Sequence, residues 1–288
     1  MKLPICVLVC GGGLQVNGMA ASLRQRILQG GKAYGSLLMS NSPIVAELMG
    51  GVGYDFLVVD HEHSPTDVAS GQLLLQGIRS ANTATEPIVR VPSPCDKVYM
   101  KKVLDSLRLP GGVLVPMIED AGMAKSVVES IRYPTQEIVG TENSTVNGVR
   151  GCAAPLVRGS GWGLDSDYLR RCVDDLLVMV QVETPNAVQN IDEIASVEGI
   201  DMIFLGPLDL SASIGKMGQF QDPAVQALIQ DAEQRVVESP CLLGGFRPPG
   251  RDVEGMMQSA GYSLVAGSVD LALLRDAANR DRSDVLPL

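Results

Sequence analysis

Imidazole is scarce in this chain. Two histidines, His61 and His63, serve all 288 residues, and both fall in one short segment. Any step that needs an unperturbed group titrating between about pH 5 and 8 therefore has to happen there. A zinc site could start from a His61-x-His63 pair, but it would need further imidazoles from later strands, and the sequence has none. Aromatic residues make up only 4% of the chain, with a single Trp. The core must be built from Val, Leu, Ile, Ala and Met, which is the composition of strands buried on both faces. Positive charge is also short: 23 Lys and Arg face 33 Asp and Glu, a net charge of −10. No basic stripe is available to follow a phosphate backbone, which excludes nucleic-acid binding. The six cysteines form no Cys-x-x-Cys pair, and a chain this long needs no covalent staples, so reduced thiols are expected. No apolar run is long enough to span a membrane.

What is present is an alternation. Apolar runs at 34–39, 54–59, 87–91, 112–117, a weaker 149–154, then 178–182, 202–205, 242–245 and 263–266 read as strands. Segments with helical spacing separate most of them. An amphipathic helix over 19–31 is expected to lie outside the core sheet. Residues 135–147 look like a polar insertion, and Asn143-Ser144-Thr145 within it is a formal N-glycosylation triplet. Residues 158–163, with Gly, Ser and Trp162, read as a mobile loop at the mouth of the site. No linker or composition break divides the chain. The most economical architecture is one (β/α)8 TIM barrel over 19–288. Residues 1–18 stand apart as an extension, disordered or a weak leader, and a cytoplasmic location is expected.

One stretch, 178–213, organises the rest: VMVQVETPNAVQNIDEIASVEGIDMIFLGPLDLSAS. Two apolar runs each deliver an acid, Glu183 after the first and Asp209 after the second. In a barrel of this class the chemistry lies at the C-terminal strand ends, so both acids face one mouth. Gln181, two residues before Glu183, shares its face. Two carboxylates without Cys or His beside them are hard ligands, suited to Mg²⁺ or Mn²⁺ with most positions left to water or substrate. The alternatives are a helix-start charge for Glu183 and an N-cap for Asp209. Arg90 ends another apolar strand, where a cation is costly unless it meets an anion. It meets either a ligand or a salt bridge that closes the barrel. Asp60, Glu62 and His63 follow the strand at 54–59, and alternation turns His61 away from the mouth, as a structural residue.

These residues sit in blocks that resemble the HpcH/HpaI aldolase family of metal-dependent pyruvate aldolases: GYDFLVVDHEHSP, IVRVP, VLVPMIEDA, GVRG, QVETPNAVQNIDEIASVEGIDMIFLGPLDLSASIG and VAGSVDLALLR. The resemblance covers roughly 19–280. It implies a barrel of the phosphoenolpyruvate/pyruvate type, with its last helix exchanged between subunits, in a homo-oligomer such as a hexamer built as a trimer of dimers. It implies a divalent ion (Mg²⁺ or Mn²⁺, with Co²⁺ possible) on Glu183 and Asp209, with Gln181 beside it and Arg90 at the keto oxygen. Asp60 and His63 match the family's acid/base dyad, and Asp105 matches an acid that joins the site from a neighbouring subunit. Gly206, Pro207, Leu208 and Asp209 lie where the substrate carboxylate binds, through backbone N–H groups at Leu208 and Asp209. The implied reaction is reversible cleavage of a 4-hydroxy-2-oxo acid to pyruvate and an aldehyde.

The sequence departs from the family's usual pattern at Leu208, in place of a smaller or polar residue, and at Leu37, where many members have Trp. Related readings are an oxaloacetate decarboxylase of the macrophomate synthase type and a CoA-ester lyase, though no Lys/Arg cluster near the mouth offers a surface for CoA phosphates. A Schiff-base aldolase needs a Lys on an apolar strand, and none of the lysines at 2, 32, 97, 101, 102, 125 and 216 interrupts one. A carboxylate-binding barrel without turnover is the non-enzymatic alternative, and it would have no need of a base.

Overall fold

In a computed structural model of the chain, residues 21–134 and 148–285 are described. The proposed extension 1–18 and the insertion 135–147 with its glycosylation triplet lie outside the described residues. Eight strands pair in sequence order, all parallel, and close on themselves: β1 (Ala33–Leu38), β2 (Phe56–Asp60), β3 (Glu86–Arg90), β4 (Gly111–Val115), β5 (Leu176–Val182), β6 (Met202–Leu205), β7 (Leu242–Phe246) and β8 (Leu264–Val269). Helix α1 (Leu23–Leu28) precedes the barrel. Between strands run α2 (Pro43–Val52), α3 (Val68–Ser80), α4 (Lys97–Ser106), α5 (Ala121–Ile131), α6 (Tyr168–Asp174), α7 (Pro185–Gln189), α8 (Ile191–Ala195), α9 (Pro207–Ser213), α10 (Pro223–Glu238) and α11 (Val253–Gln258); α12 (Asp270–Val285) follows β8. Among the described residues no helix is long and apolar enough to cross a membrane.

Strand alternation splits the apolar residues into two cores. Leu37, Phe56, Val58, Ile88, Leu114, Leu177, Met179, Met202, Phe204 and Leu264 fill the barrel interior. Their neighbours, such as Leu57, Val59, Val89, Val113, Val178 and Ile203, pack outward against the helices. The same alternation puts Asp60 above Val58, Arg90 above Ile88 and Gln181 above Met179, at the C-terminal end of the interior. Asp60 and Arg90 are register partners between β2 and β3.

Three expectations are corrected. The run at 149–154 is not a strand: Arg150 within it is buried, donates to Asp105 and Tyr168 (2.6 and 3.1 Å) and lies over the Tyr133 ring. The segment ends in a short 3₁₀ turn, Ala154–Leu156. Residues 158–163 do not border the mouth. Arg158 donates to the Ser106 carbonyl and the Gly159 N–H to that of Asp105. They thus seal the C-terminal end of α4, which leads to the start of β4 on the far side of the barrel. Helix α1 is not external to the core, because Leu23 and Ile27 belong to the interior cluster and plug the N-terminal end. Arg24 to Asp201 (2.7 Å) and Arg26 to Asp55 (3.0 Å) tie it to the strand starts.

Most helix starts are capped by an acid or hydroxyl. The side chains of Ser42, Asp67, Asp96, Asp120, Thr184, Asp222 and Asp252 each accept an N–H from the first turn. Helix α12 differs from the other long helices in its burial. Asp270 is buried, but the residues after it are exposed or half-buried, with Leu271, Leu273 and Leu274 open to solvent.

Candidate active site

Glu183 leaves the end of β5 almost fully buried, at 3% exposure. Its Oε2 accepts the Met117 backbone N–H at 2.8 Å, and its Oε1 accepts Gln181 Nε2 at 2.5 Å. Burial pushes its carboxyl up to about 7. The Met117 hydrogen bond opposes this shift, and the charges of Asp209 and Glu62 add to it. Met117 reaches Glu183 by adopting a left-handed backbone, φ 54°. Gly206 faces the same carboxylate: a Cβ there would lie 2.7 Å from Oε1. Asp209 is not an N-cap, and Glu183 stands directly before the cap of α7. Thr184, not Glu183, caps α7. Gly206 occupies the N-cap of α9, and Asp209 lies within the first turn of that helix.

Arg90 is held from two sides. Its Nε and Nη2 each donate to one oxygen of Asp60, both at 2.8 Å, and its Nη1 lies 3.0 Å from Glu62 Oε2. The Phe246 ring sits 5.4 Å from the guanidinium carbon. Asp60 is fully buried and accepts two further bonds, from the backbone N–H groups of Glu62 (3.0 Å) and His63 (3.3 Å). It therefore aligns Arg90 and folds the 61–64 turn. The direct contact between the Asp60 carboxylate and the His63 ring, expected from the sequence, is not made here. The acid nearest the ring is Glu62, with His63 Nε2 to Oε1 at 3.8 Å, and the His63 side chain is 61% exposed. Burial raises the Glu62 carboxyl to about 6. Arg90 opposes that shift, and Asp60 and Asp209 support it.

His61 turns the other way, as expected. It is buried, with Nδ1 2.8 Å from the Tyr99 hydroxyl and, among the described residues, no hydrogen-bond partner for Nε2. Burial lowers its pKa to about 4. Gly71 makes room for the ring, since a Cβ there would come within 2.5 Å of Cε1 and Nε2.

A cavity of about 590 Å³ opens above these groups. His63, Arg90, Gly206, Pro207, Leu208 and Asp209 line it, together with Leu37, Met39, Met217, Phe220, Phe246, Arg247 and Val269. Glu183 lies behind Gly206 under the floor, with Gln181 beside it. Asp105 is not part of the lining. It sits at the far end of α4, paired with Arg150 at 2.6 Å, on the opposite side of the barrel from its own mouth.

Sequence reasoning missed several contributors. Met117 acts through its backbone, and nothing in its side chain signals that. Asp270 accepts the Met39 and Ser40 N–H groups at 2.9 and 3.1 Å and so ties the rim of β1 to the end of β8. Arg247 follows a short, glycine-rich strand whose limits were blurred in the sequence.

The donors fit a hard divalent ion. Glu183, Asp209 and Glu62 bring mutually repelling carboxylates to one place, and the buried Gln181 Oε1 has no hydrogen-bond partner among the described residues. All of these donors are oxygens. Among the described residues no cluster of three or more His, Cys, Asp or Glu is arranged to hold a metal. The protein would thus contribute two carboxylates and leave the remaining positions open.

Comparison with known proteins agrees with this architecture. The profile of the HpcH/HpaI aldolase/citrate lyase family matches residues 34–277. The chain is 36% identical over 260 residues to a 4-hydroxy-2-oxo-heptane-1,7-dioate aldolase of Escherichia coli, covering 90% of this chain and 93% of that one. It is 35% identical over 268 residues to a hydroxypyruvate/pyruvate aldolase of Deinococcus radiodurans, covering 92% and 90%. A crystal structure of a family protein from Burkholderia cenocepacia J2315 superposes with a TM-score of 0.81 at 31% identity, covering 91% of this chain and 98% of that one. With its eight parallel strands closed and its acids gathered at their C-terminal ends, this chain belongs to the HpcH/HpaI aldolase/citrate lyase family and is a carbon–carbon lyase.

Proposed function

We propose that the enzyme reversibly cleaves a 4-hydroxy-2-oxo acid to pyruvate and an aldehyde, with Mg²⁺ or Mn²⁺ held by Glu183 and Asp209. The observation that carries this reading is the meeting of two acids, a buried arginine and an exposed histidine at one cavity, Glu183 lying just under its floor. The names of the relatives, both aldolases, support the reaction class. When bound, the ion supplies Lewis-acid polarisation of the keto oxygen.

The protein's own groups do the rest. Backbone N–H groups at Leu208 and Asp209 receive the substrate carboxylate, and Gln181 orients Glu183. Asp60 takes Arg90 Nε and one N–H of Nη2, and Glu62 lies beside Nη1; the remaining N–H groups of the fork donate to the keto oxygen as negative charge develops there. His63 accepts the C4 hydroxyl proton as the C3–C4 bond breaks, and its electron pair passes to C3 and the keto oxygen. Asp60 acts here as a positioning residue. It holds the peptide that carries His63 and the fork of Arg90. Turnover of a 4-hydroxy-2-oxo acid should vanish in excess EDTA and return with Mg²⁺ or Mn²⁺. It should stay absent in a folded Glu183→Ala protein. Full activity in EDTA would remove the metal from the account.

The same proposal includes a homo-oligomer, a hexamer as a trimer of dimers. The leucines that α12 exposes, and the placement of Asp105 away from its own mouth, support it. Light scattering at assay concentration should give a mass above that of one chain, and a fully active monomer would contradict it.

A further inference from the structure

Buried and half-buried arginines in this chain are mostly spent on acids. Arg24 meets Asp201, Arg90 meets Asp60 and Glu62, Arg150 meets Asp105, and Arg171 is enclosed by Asp165 and Asp175. Three arginines on the face opposite the mouth break this pattern: Arg79 in the last turn of α3, Arg108 just after α4, and Arg158. Among the described residues no carboxylate comes within ion-pair distance of any of them. The one acid whose charge reaches Arg79 is Glu86, and it accepts the Leu23 N–H at 2.5 Å.

The three share one loop, the link from α4 to β4. Arg79 Nη2 donates to the carbonyls of Arg108 (3.2 Å) and Pro110, and Arg158 Nη1 donates to that of Ser106. Arg108 Nη2 lies 3.0 Å from where a Cβ on Gly161 would stand, so the 158–163 segment packs against it. That segment includes Trp162 at φ 59°, an uncommon conformation for a bulky residue. Burial lowers the pKa of the Arg158 guanidinium, and the charges of Arg108 and Arg79 lower it further, with no acid to offset them. Capping the loop carbonyls accounts for one nitrogen each of Arg79 and Arg158. It does not account for three gathered cations, because neutral donors would cap the loop without the repulsion. The remaining N–H groups of Arg79 and Arg158, and all those of the exposed Arg108, have no hydrogen-bond partner among the described residues. Arg158 is only 9% exposed, which makes its unspent donors costly unless an anion meets them.

We infer that Arg79, Arg108 and Arg158 bind the phosphate group of a small molecule on the face of the barrel opposite the mouth. A carboxylate is matched by one guanidinium fork, as Asp60 is by Arg90. Three guanidiniums on one loop suit a group with more oxygens and more charge, and a phosphate monoester carries about −1.5 to −2 near neutral pH. The planar fork is the side chain best matched to such oxygens. The site lies across the barrel from Arg90 and Asp209, so its ligand is an effector and not a substrate of the cavity.

The test is calorimetric titration with inorganic phosphate, with acetate at equal ionic strength as the singly charged control. Wild type should bind one phosphate per chain and take up no acetate over the same range. Arg108→Gln should weaken phosphate binding by ~10-fold and Arg158→Gln by ~10- to 100-fold, the usual worth of a hydrogen-bonded charge. Arg108 makes no side-chain hydrogen bond among the described residues, so its variant separates binding from folding. Its circular dichroism and its mass by light scattering should match wild type. Arg247→Gln, on the wall of the mouth, should bind phosphate as wild type does. No binding by wild type, equal binding of acetate, or equal phosphate binding by wild type, Arg108→Gln and Arg158→Gln would overturn the inference. So would loss of binding in Arg247→Gln instead, which would move the phosphate to the mouth. A changed mass in Arg108→Gln would also overturn it, by making this face a contact between copies of the chain.

Discussion

Replacing His61 with Asn should make the protein more tolerant of acid. The His61 ring is buried against Gly71, and among the described residues its Nε2 meets no partner and its one hydrogen bond is to Tyr99. With both ring nitrogens protonated, the Nε2 proton meets no acceptor among the described residues, and burial lowers the ring's pKa from 6.5 to about 4. In the unfolded chain the same ring takes up a proton below about pH 6.5, so there the unfolded state binds more protons than the folded one. Stability is accordingly lost as pH falls through that window, and the loss levels off below about 4. The full gap is worth ~3 kcal/mol, and at about pH 5 some ~2 kcal/mol of it has been lost. Asn keeps an amide near the position of Nδ1 and does not titrate. The assay is urea unfolding of both proteins at about pH 7.5 and about pH 5, at one fixed protein concentration so that assembly contributes equally. All other titrating groups cancel in the difference between the two proteins. Wild type should lose ~2 kcal/mol more than His61→Asn between the two conditions. An equal loss in both would mean that the buried ring accepts its proton freely, and the argument from burial would fail.

Further outcomes follow from the site. Gly206→Ala should place a methyl group 2.7 Å from Glu183 Oε1 and turn that carboxylate aside. Metal titration should show affinity weaker by ~10–100-fold, with thermal unfolding little changed, whereas unaltered affinity would show that Glu183 yields at no cost. His63→Ala should separate two reactions on one purified protein. Aldol cleavage, which needs a base for the hydroxyl, should fall by ~10²–10⁴-fold, while oxaloacetate decarboxylation, which removes no hydroxyl proton, should largely survive. Equal loss of both in a folded, metal-loaded protein would withdraw His63 as the base.

The barrel was legible because its strands are buried on both faces and few other arrangements tolerate so many uninterrupted apolar runs. The site was legible where strand parity decides it. Parity alone sends Asp60, Arg90, Gln181 and Glu183 to one end of the interior and turns His61 away. Parity cannot say which of two neighbours an acid will choose. Asp60 could serve His63 or Arg90, and the bidentate fork opposite it in β3 takes it, a pairing set by register between strands thirty residues apart. The run at 149–154 misled because Val149 and the small apolar residues after Arg150 imitate a strand. Its arginine is buried only because Asp105, Tyr133 and Tyr168 converge on it from distant positions. Helix α1 presents the same apolar stripe whether it lies along a barrel or across its end, so periodicity could not place it.

The grip of Met117 on Glu183 is made by a peptide N–H, not by a side chain. A residue at 117 can be long or short, polar or apolar, without touching the bond that steadies the acid. What it must do is enter the left-handed region, at a strain of ~1–2 kcal/mol for an ordinary side chain, and keep its N–H. Glycine or asparagine would satisfy both conditions at lower cost, a β-branched residue would resist the turn, and proline would abolish the donor. Sequence drift at this corner of the barrel is thus filtered by backbone shape alone. A position that looks freely variable among descendants of this chain would still be one of the anchors of its chemistry.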